Sequence, residues 1–253
     1  MKIHFLGTNG WFDSETGETP SILIDSKEAY VILDAGNSLR KIDRYITDRS
    51  KPIVLLLSHF HLDHTFGLHI LPKFAFPQGM EIIGQPGTKE TLSKLLASPF
   101  TAPIDMVRKT MRLDIMDLKE GMNRIGTVDI EGRYLIHKDP CFGYSLTLEG
   151  KKIAYCTDTG VCDNFIALAK DADLLISECA WKERNWMPNW PHLAPEDAAE
   201  AAKKAGAKKL ILTHLDPEQF KSYKERLEAQ KRARVIFPNT LVAKDDFEYD
   251  LSE

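Results

Sequence analysis

Cysteine is scarce, and what there is does not pair. The four residues Cys141, Cys156, Cys162 and Cys179 contain no CxxC spacing, so neither a zinc knuckle nor a disulfide framework is indicated. Reduced thiols in a cytosolic protein are the expectation. Long apolar runs are missing too. No stretch approaches the roughly 18 apolar residues of a membrane span, and the opening MKIHFLGTNG is too poor in apolar residues for a secretory signal. A soluble, cytoplasmic protein is expected. Basic charge is not in excess: 33 Lys and Arg stand against 37 Asp and Glu, a formal net charge of −4. That argues against a broad surface gripping nucleic acid. No low-complexity segment or linker divides the 253 residues. A single domain over 1–253 is expected, built from strand-rich halves of about 1–125 and 126–253, with room for a substantial core.

What is present is concentrated in residues 51–64, KPIVLLLSHFHLDH. The apolar run Ile53–Leu57 reads as a buried strand, too short for a helix. It ends in His59, His61, Asp63 and His64. In extended backbone, residues two apart share a side, so His59 and His61 can converge on one metal ion. Asp63 and His64 follow one turn later and can serve a second. Imidazole and carboxylate without a softer donor suit Zn²⁺, with Mn²⁺ or Fe as competitors. A lone histidine is more often packed or at the surface, which is the reading for His4 and His69. Four ligand-type residues in six positions at a strand end form a metal motif.

The second half repeats this logic. Strand Val128–Ile136 delivers His137. A hairpin of Phe142–Leu148 and Lys151–Cys156, turning at Glu149-Gly150, delivers Asp158. Strand Asp173–Ser177 delivers Glu178, and Lys209–Leu212 delivers His214. Helices are expected from Ser38, acting as cap, to about Ile46, over Pro195–Ala205 with Gly206 at its end, and from Pro217 to about Lys231. Arg234–Phe237 and Lys244–Tyr249 read as closing strands, and residues 97–121 carry no clear pattern. Functional residues gather where strand ends meet. His59, His61 and His137 are therefore assigned to one ion, Asp63, His64 and His214 to the other, and Asp158 to a bridge between them.

With these residues placed, the chain resembles the metallo-β-lactamase superfamily of binuclear metallohydrolases. SHFHLDH is similar to its HxHxDH motif, and His137, Asp158 and His214 fall where its later ligands are expected. The resemblance implies an α/β fold, a four-layer αββα sandwich, with two divalent metal ions along one edge. His61 in place of Glu is unlike the flavodiiron oxygen reductases, and Asp158 in place of Cys is unlike true β-lactamases. LLISECAW, around Glu178, is similar to the HEAT motif of ribonuclease Z, with Ser177 replacing its His. PHLAPEDAA, around His192, resembles the HST motif, with Leu193 and Ala194 as departures. That likeness implies a Glu178–His192 pair protonating the leaving group. A carboxylate beside an imidazole raises its pKa and orients it, as such an acid requires. A single hairpin separates His137 from Asp158, which leaves no room for the tRNA-gripping arm of ribonuclease Z. The layout is more like the armless cyclic-phosphate phosphodiesterases of phosphonate degradation, although no cysteine precedes Cys141 to form their extra zinc site.

The expected activity is hydrolysis of a small or cyclic phosphodiester, or of an RNA end. Two ions sharing a water lower its pKa, hydroxide attacks phosphorus, Asp63 aims it, and His192 protonates the departing alkoxide. Carboxyl-ester, thioester or lactam hydrolysis on the same scaffold is the alternative. A tRNA 3′-end nuclease gripping its substrate through a homodimer partner, and a non-catalytic metal binder, are the others. Between Glu178 and His192 lies AWKERNWMPNW. Trp181, Arg184 and Trp186 are candidate substrate contacts there, stacking a base or sugar and pairing a second phosphate. Loop packing or a dimer contact is the competing reading for these tryptophans. Trp11 and Phe12, in an acidic loop, could border the same cleft.

Overall fold

Every residue of Ile53–Leu57 is buried because both faces of this strand are covered. Val54 and Leu56 point into a core between two sheets, while Ile53, Leu55 and Leu57 point to a layer of helices. The same arrangement recurs across that core. The protein, a computed structural model describing residues 1–185, 187 and 189–251, is a four-layer αββα sandwich.

The first sheet runs in chain order through β1 (Lys2–Gly7), β2 (Ser21–Asp25), β3 (Tyr30–Leu33), β4 (Ile53–Leu57), β5 (Met80–Gly84) and β6 (Leu113–Asp117). The second runs through β7 (Gly121–Ile125), β8 (Val128–Tyr134), β9 (Phe142–Leu148), β10 (Lys151–Cys156), β11 (Leu174–Glu178), β12 (Leu210–Thr213) and β13 (Thr240–Val242). The chain then returns to the first sheet, where β14 (Phe247–Asp250) pairs with β1. Beside the first sheet lie 3-10 helices at Asn37–Arg44 and Phe66–Lys73, the single turn α1 (Leu62–Thr65), α2 (Thr88–Leu95) and α3 (Ile104–Arg108). Beside the second lie α4 (Asp163–Ala169), α5 (Pro195–Ala205) and α6 (Tyr223–Ile236). None of the helices among the described residues is long and apolar enough to cross a membrane.

Local chemistry explains the elements that match expectation. The β9–β10 hairpin turns on Glu149 (φ 51°) and Gly150 (φ 72°), the paired left-handed conformations of a two-residue hairpin loop. Helix α5 has Pro at its first turn and a left-handed Gly206 at its C-terminus. Other elements differ. Ser38 is not a cap: Gly36 precedes that helix, and the Ser38 hydroxyl donates to the Thr19 carbonyl. Pro217 sits in a turn, and α6 begins only after Ser222, whose side chain accepts from the Glu225 N–H. Arg234–Ile236, read as strand, continues α6, because Ala229 and Ala233 sit four apart on the face packed against the second sheet. Residues 97–121 hold α3 and the edge strand β6, whose exposed Asp114 and Asp117 obscure its pattern.

Strands β3 to β6 are parallel, and so are β10 to β13. Their C-terminal ends gather along one edge, where ligands of α/β sheets bind. Cross-sheet main-chain bonds fix that edge: Phe142 N–H to the Ser58 carbonyl, Leu215 N–H to that of Thr8, and Gly10 N–H to that of Leu215.

The loop after β1 is anchored from the far side. Arg226 of α6 is fully buried and donates to Thr8 Oγ1 at 3.0 Å, Thr16 Oγ1 at 3.0 Å and Asn9 Oδ1. Burial lowers its pKa to about 10, so it stays charged at neutral pH among neutral acceptors. Replacing Arg226 by Met strands those acceptors in the interior. The expected loss in urea unfolding is about 3 kcal/mol, and a loss below about 0.5 kcal/mol, the range of ordinary surface changes, would show that the loop does not depend on it.

Candidate metal centre

The ligand-type residues arrive from loops after strands or, for Asp63 and His64, on the single turn α1 that follows β4. His59 follows β4 and is buried, with Nδ1 3.0 Å from Ser58 Oγ and a buried Nε2 lacking any hydrogen-bond partner. His61 engages Asp139 through Nε2 at 2.9 Å, which leaves Nδ1 for the other histidines. His137, after β8, has both ring nitrogens buried and without a partner. The ligand atoms of these three lie within 4.8 Å of one another, and so do those of Asp63, His64 and His214. Asp158 stands between the two sets. Its Oδ1 is 4.0 Å from His59 Nε2, and its Oδ2 is 3.1 Å from His64 Nε2 and 3.3 Å from His214 Nε2. The seven residues expected as ligands are therefore brought together, and His59, His64 and Asp158, and His137, Asp158 and His192, lie as close to one another as the two expected sets do.

The electrostatics suit a cation. Burial opposes the Asp158 charge, yet His214, His64 and His59 around it hold its pKa well below the ordinary carboxylate value. Asp63 is held down in the same way by His64 and His214. Burial and the neighbouring His64 keep His59 neutral, with its lone pair available. Burial also opposes charge on His64 and His214, but the carboxylates raise both above the usual imidazole value. A bound cation would supply the same compensation in place of those protons. Buried polar atoms without partners are costly. The orphaned nitrogens of His59 and His137 would gain partners in that way, so the donor set fits a divalent metal.

Asp34 touches the cluster, and the motifs did not indicate it. It is fully buried at the end of β3. It accepts from His64 Nδ1 at 2.8 Å, Ser58 N–H at 2.7 Å, Ser58 Oγ at 2.8 Å and Tyr155 OH at 2.7 Å. This bond fixes the His64 tautomer, so that Nε2 faces the cluster. The available signal was an acidic residue directly after the wholly buried strand YVIL, beside β4. Two further contacts shape the site. A Cβ on Gly10 would come 2.5 Å from His214 Cε1, so only glycine allows that approach. The Trp11 N–H donates to Asp63 Oδ2 at 2.8 Å. Trp11 (φ 68°), Asp34 (φ 59°), Asp158 (φ 47°) and His214 (φ 52°) all occupy the left-handed region, backbone strain of the kind that persists where surroundings over-determine it.

Glu178 and His192 form the expected pair. Glu178 is fully buried. Its Oε1 accepts from His192 Nδ1 at 2.8 Å and Thr159 N–H at 2.6 Å, and its Oε2 from Ala180 N–H and Leu193 N–H. Burial disfavours the imidazolium, but the Glu178 carboxylate overrides it and raises the His192 pKa to about 9. The His192 ring lies 5.6 Å from that of His137 and is stacked at 6.2 Å on that of His214.

His61, Asp63, Asp158, His192 and His214 line a cavity of about 700 Å³, with Trp181 and Trp190 beside His192 and Trp11 beside Asp63. Trp190 stacks on His61 at 5.9 Å. Arg184 is not where a substrate phosphate would need it. Its guanidinium is taken up by Asp197 at 2.8 Å and Glu200 at 2.6 Å, and it is absent from the described cavity lining. The expected contact from Trp186 lies outside the described residues. His4, its ring tilted against that of Tyr45, and His69, bonded to the Phe66 carbonyl, stay outside the cluster, as expected.

Comparison with known proteins agrees with this geometry. Residues 29–215 match the family model described as "Beta-lactamase superfamily domain". An uncharacterized protein of Mycobacterium tuberculosis is 30% identical over 211 residues, covering 79% of this chain and 71% of that protein. Ribonuclease Z of Bacillus licheniformis is 25% identical over 312 residues, covering 99% of both chains. The metallo-β-lactamase fold protein YhfI of Bacillus subtilis superposes with a TM-score of 0.79 at 25% identity, covering 98% of both chains. Sandwich, histidine–aspartate cluster and relatives agree: the chain belongs to the metallo-β-lactamase superfamily of hydrolases.

Proposed function

We propose that the chain is a metal-dependent phosphodiesterase acting on a small or cyclic phosphodiester or an RNA end. One observation carries this reading: His192, bonded to the buried Glu178, lines the same cavity as His61, Asp63, Asp158 and His214 of the cluster. Two divalent ions, zinc first by its donor preference, would be held by His59, His61 and His137 and by Asp63, His64 and His214, with Asp158 between them. When bound, such ions supply charge for the phosphoryl oxygens and a water of lowered pKa.

The chain's own residues do the rest. His192, tied through Nδ1 to Glu178, turns its other nitrogen to the cavity and gives a proton to the departing alkoxide. An alkoxide is a poor leaving group without that proton, whereas hydroxide attack on an activated carbonyl needs no such acid. The pair therefore favours phosphodiesters over carboxyl esters, thioesters or lactams. Asp63 is held in place by the Trp11 N–H and by His214 at 3.3 Å, and its carboxylate can orient the attacking water. Trp181 and Trp190 flank His192 and so receive the leaving group. Substrate size follows from the chain between His137 and Asp158, where the β9–β10 hairpin supplies no protruding arm. The ribonuclease Z alignment spans 312 positions against 253 residues here, so this chain lacks segments that the relative carries.

Three measurements test this reading. His61→Ala is expected to abolish metal-dependent hydrolysis of bis-p-nitrophenyl phosphate, and full activity in that variant would remove His61 from the site. His192→Ala is expected to slow alkyl leaving groups by about 100- to 10,000-fold while sparing p-nitrophenolate. Equal losses along a leaving-group series would exclude His192 as the acid. Asp34→Asn, which leaves every proposed ligand in place, is expected to weaken cation binding by about 10- to 100-fold in a chelator competition. Unchanged affinity would reduce Asp34 to a packing role.

A further inference from the structure

A second groove borders the cavity. It has a volume of about 210 Å³ and shares Trp11, Leu62 and Asp63 with the cavity lining. Its apolar members are unusually open to solvent: Trp11 is 67% exposed, Leu62 64% and Phe66 51%. Contiguous exposed apolar surface beside a polar cleft marks a binding surface more often than an accident of packing. Trp11 is held outward by a left-handed backbone (φ 68°) and by its N–H bond to Asp63. Phe12 packs edge-on against it, with centroids 5.0 Å apart. Asp13 and Asn37 also line the groove, where the Asn37 amide donates to Asp13 Oδ2 and the Thr19 N–H to Asp13 Oδ1, so a base edge would meet their remaining acceptor lone pairs.

Resting on the phosphodiesterase reading, we propose that this groove is a subsite for a nucleobase on the ester group that phosphorus retains. Leaving groups depart on the side of His192, between Trp181 and Trp190. The retained substituent must take another way out of the cavity, and the shared residues Trp11, Leu62 and Asp63 make this groove a direct one. Its aromatic faces would stack a flat ring, which tolerates any base. Its polar members would meet the heteroatoms along the ring edge. A purely aliphatic group would use the first feature and leave the second desolvated without partners.

The test holds the leaving group constant and varies the retained one. Thymidine 5′-(p-nitrophenyl phosphate) and methyl p-nitrophenyl phosphate are compared for the wild-type metalloprotein, Trp11→Ala and Phe66→Ala. The ratio of kcat/KM, nucleoside ester over methyl ester, is expected to fall about tenfold in Trp11→Ala and by a smaller factor in Phe66→Ala, chiefly through KM. A ratio unchanged in both variants, with hydrolysis intact and the melting curve retained, overturns the subsite. So does loss of a dimer in sedimentation with the ratio unchanged, which would make this face a contact between two copies. No hydrolysis of either ester by the wild-type protein would instead remove the phosphodiesterase reading, and the subsite with it.

Discussion

Carboxylates held away from water need compensating positive charge, and around Asp158 and Asp63 that need organises the whole edge of the sandwich. Both are held far below their ordinary pKa while burial works in the other direction. The compensation comes from the imidazoles of His64 and His214 at 3.1 to 3.3 Å. Those imidazoles are themselves buried and could not carry charge without the carboxylates. Neither set is stable alone. The cluster is therefore a mutual arrangement in which protons and cations are interchangeable currencies of positive charge, and a divalent ion is the more effective one because it also satisfies the unpartnered nitrogens of His59 and His137.

Such a cluster needs a scaffold that delivers short loops rigidly, and the sandwich does so with parallel strands. β3, β4, β10, β11 and β12 bring Asp34, His59, Asp158, Glu178 and His214 to a common edge. Each of these strands is buried throughout, or nearly so, which leaves little freedom for their ends to shift. Of the left-handed residues, Asp34 and His214 fall directly after strands and Asp158 two residues after β10. Strain of that kind costs about 1 to 3 kcal/mol per residue. It is tolerated because the cross-sheet bonds and the buried cluster fix these loops more firmly than local preference could relax them.

Most of this edge was legible in the sequence, for a definite reason. His59, His61, Asp63 and His64 lie within six residues, so their relation is local and spacing alone exposes it. His137, Asp158 and His214 are remote in sequence, but each follows a strand with an apolar pattern, and the resemblance to a known motif set joins them. Asp34 has neither advantage. It is a second-layer residue whose partners, Ser58, His64 and Tyr155, come from two sheets. Arg184 failed in the opposite sense. A cation between two tryptophans suggests a phosphate contact, yet the acidic first turns of α5 supply Asp197 and Glu200 as nearer partners. The misplaced start of α6 reflects Pro217, which suits a first helical turn and equally suits the β-turn it occupies. The capping role falls instead to Ser222, five residues later in the chain.

The Glu178–His192 pair shows why departures from a motif can leave its geometry intact. Position 193 is Leu and position 194 is Ala, where the resemblance leads one to expect Ser and Thr. Leu193 nevertheless supplies its main-chain N–H to Glu178, and so does Ala180, while Thr159 gives a third main-chain donor. The carboxylate is thus held by backbone groups that almost any side chain would present. Ser177, standing for an expected histidine, is buried and turns its hydroxyl to the Glu178 carbonyl, not to the carboxylate. The side chains on which the pairing itself depends are Glu178 and His192, joined at 2.8 Å. Those two are the ones this chain keeps.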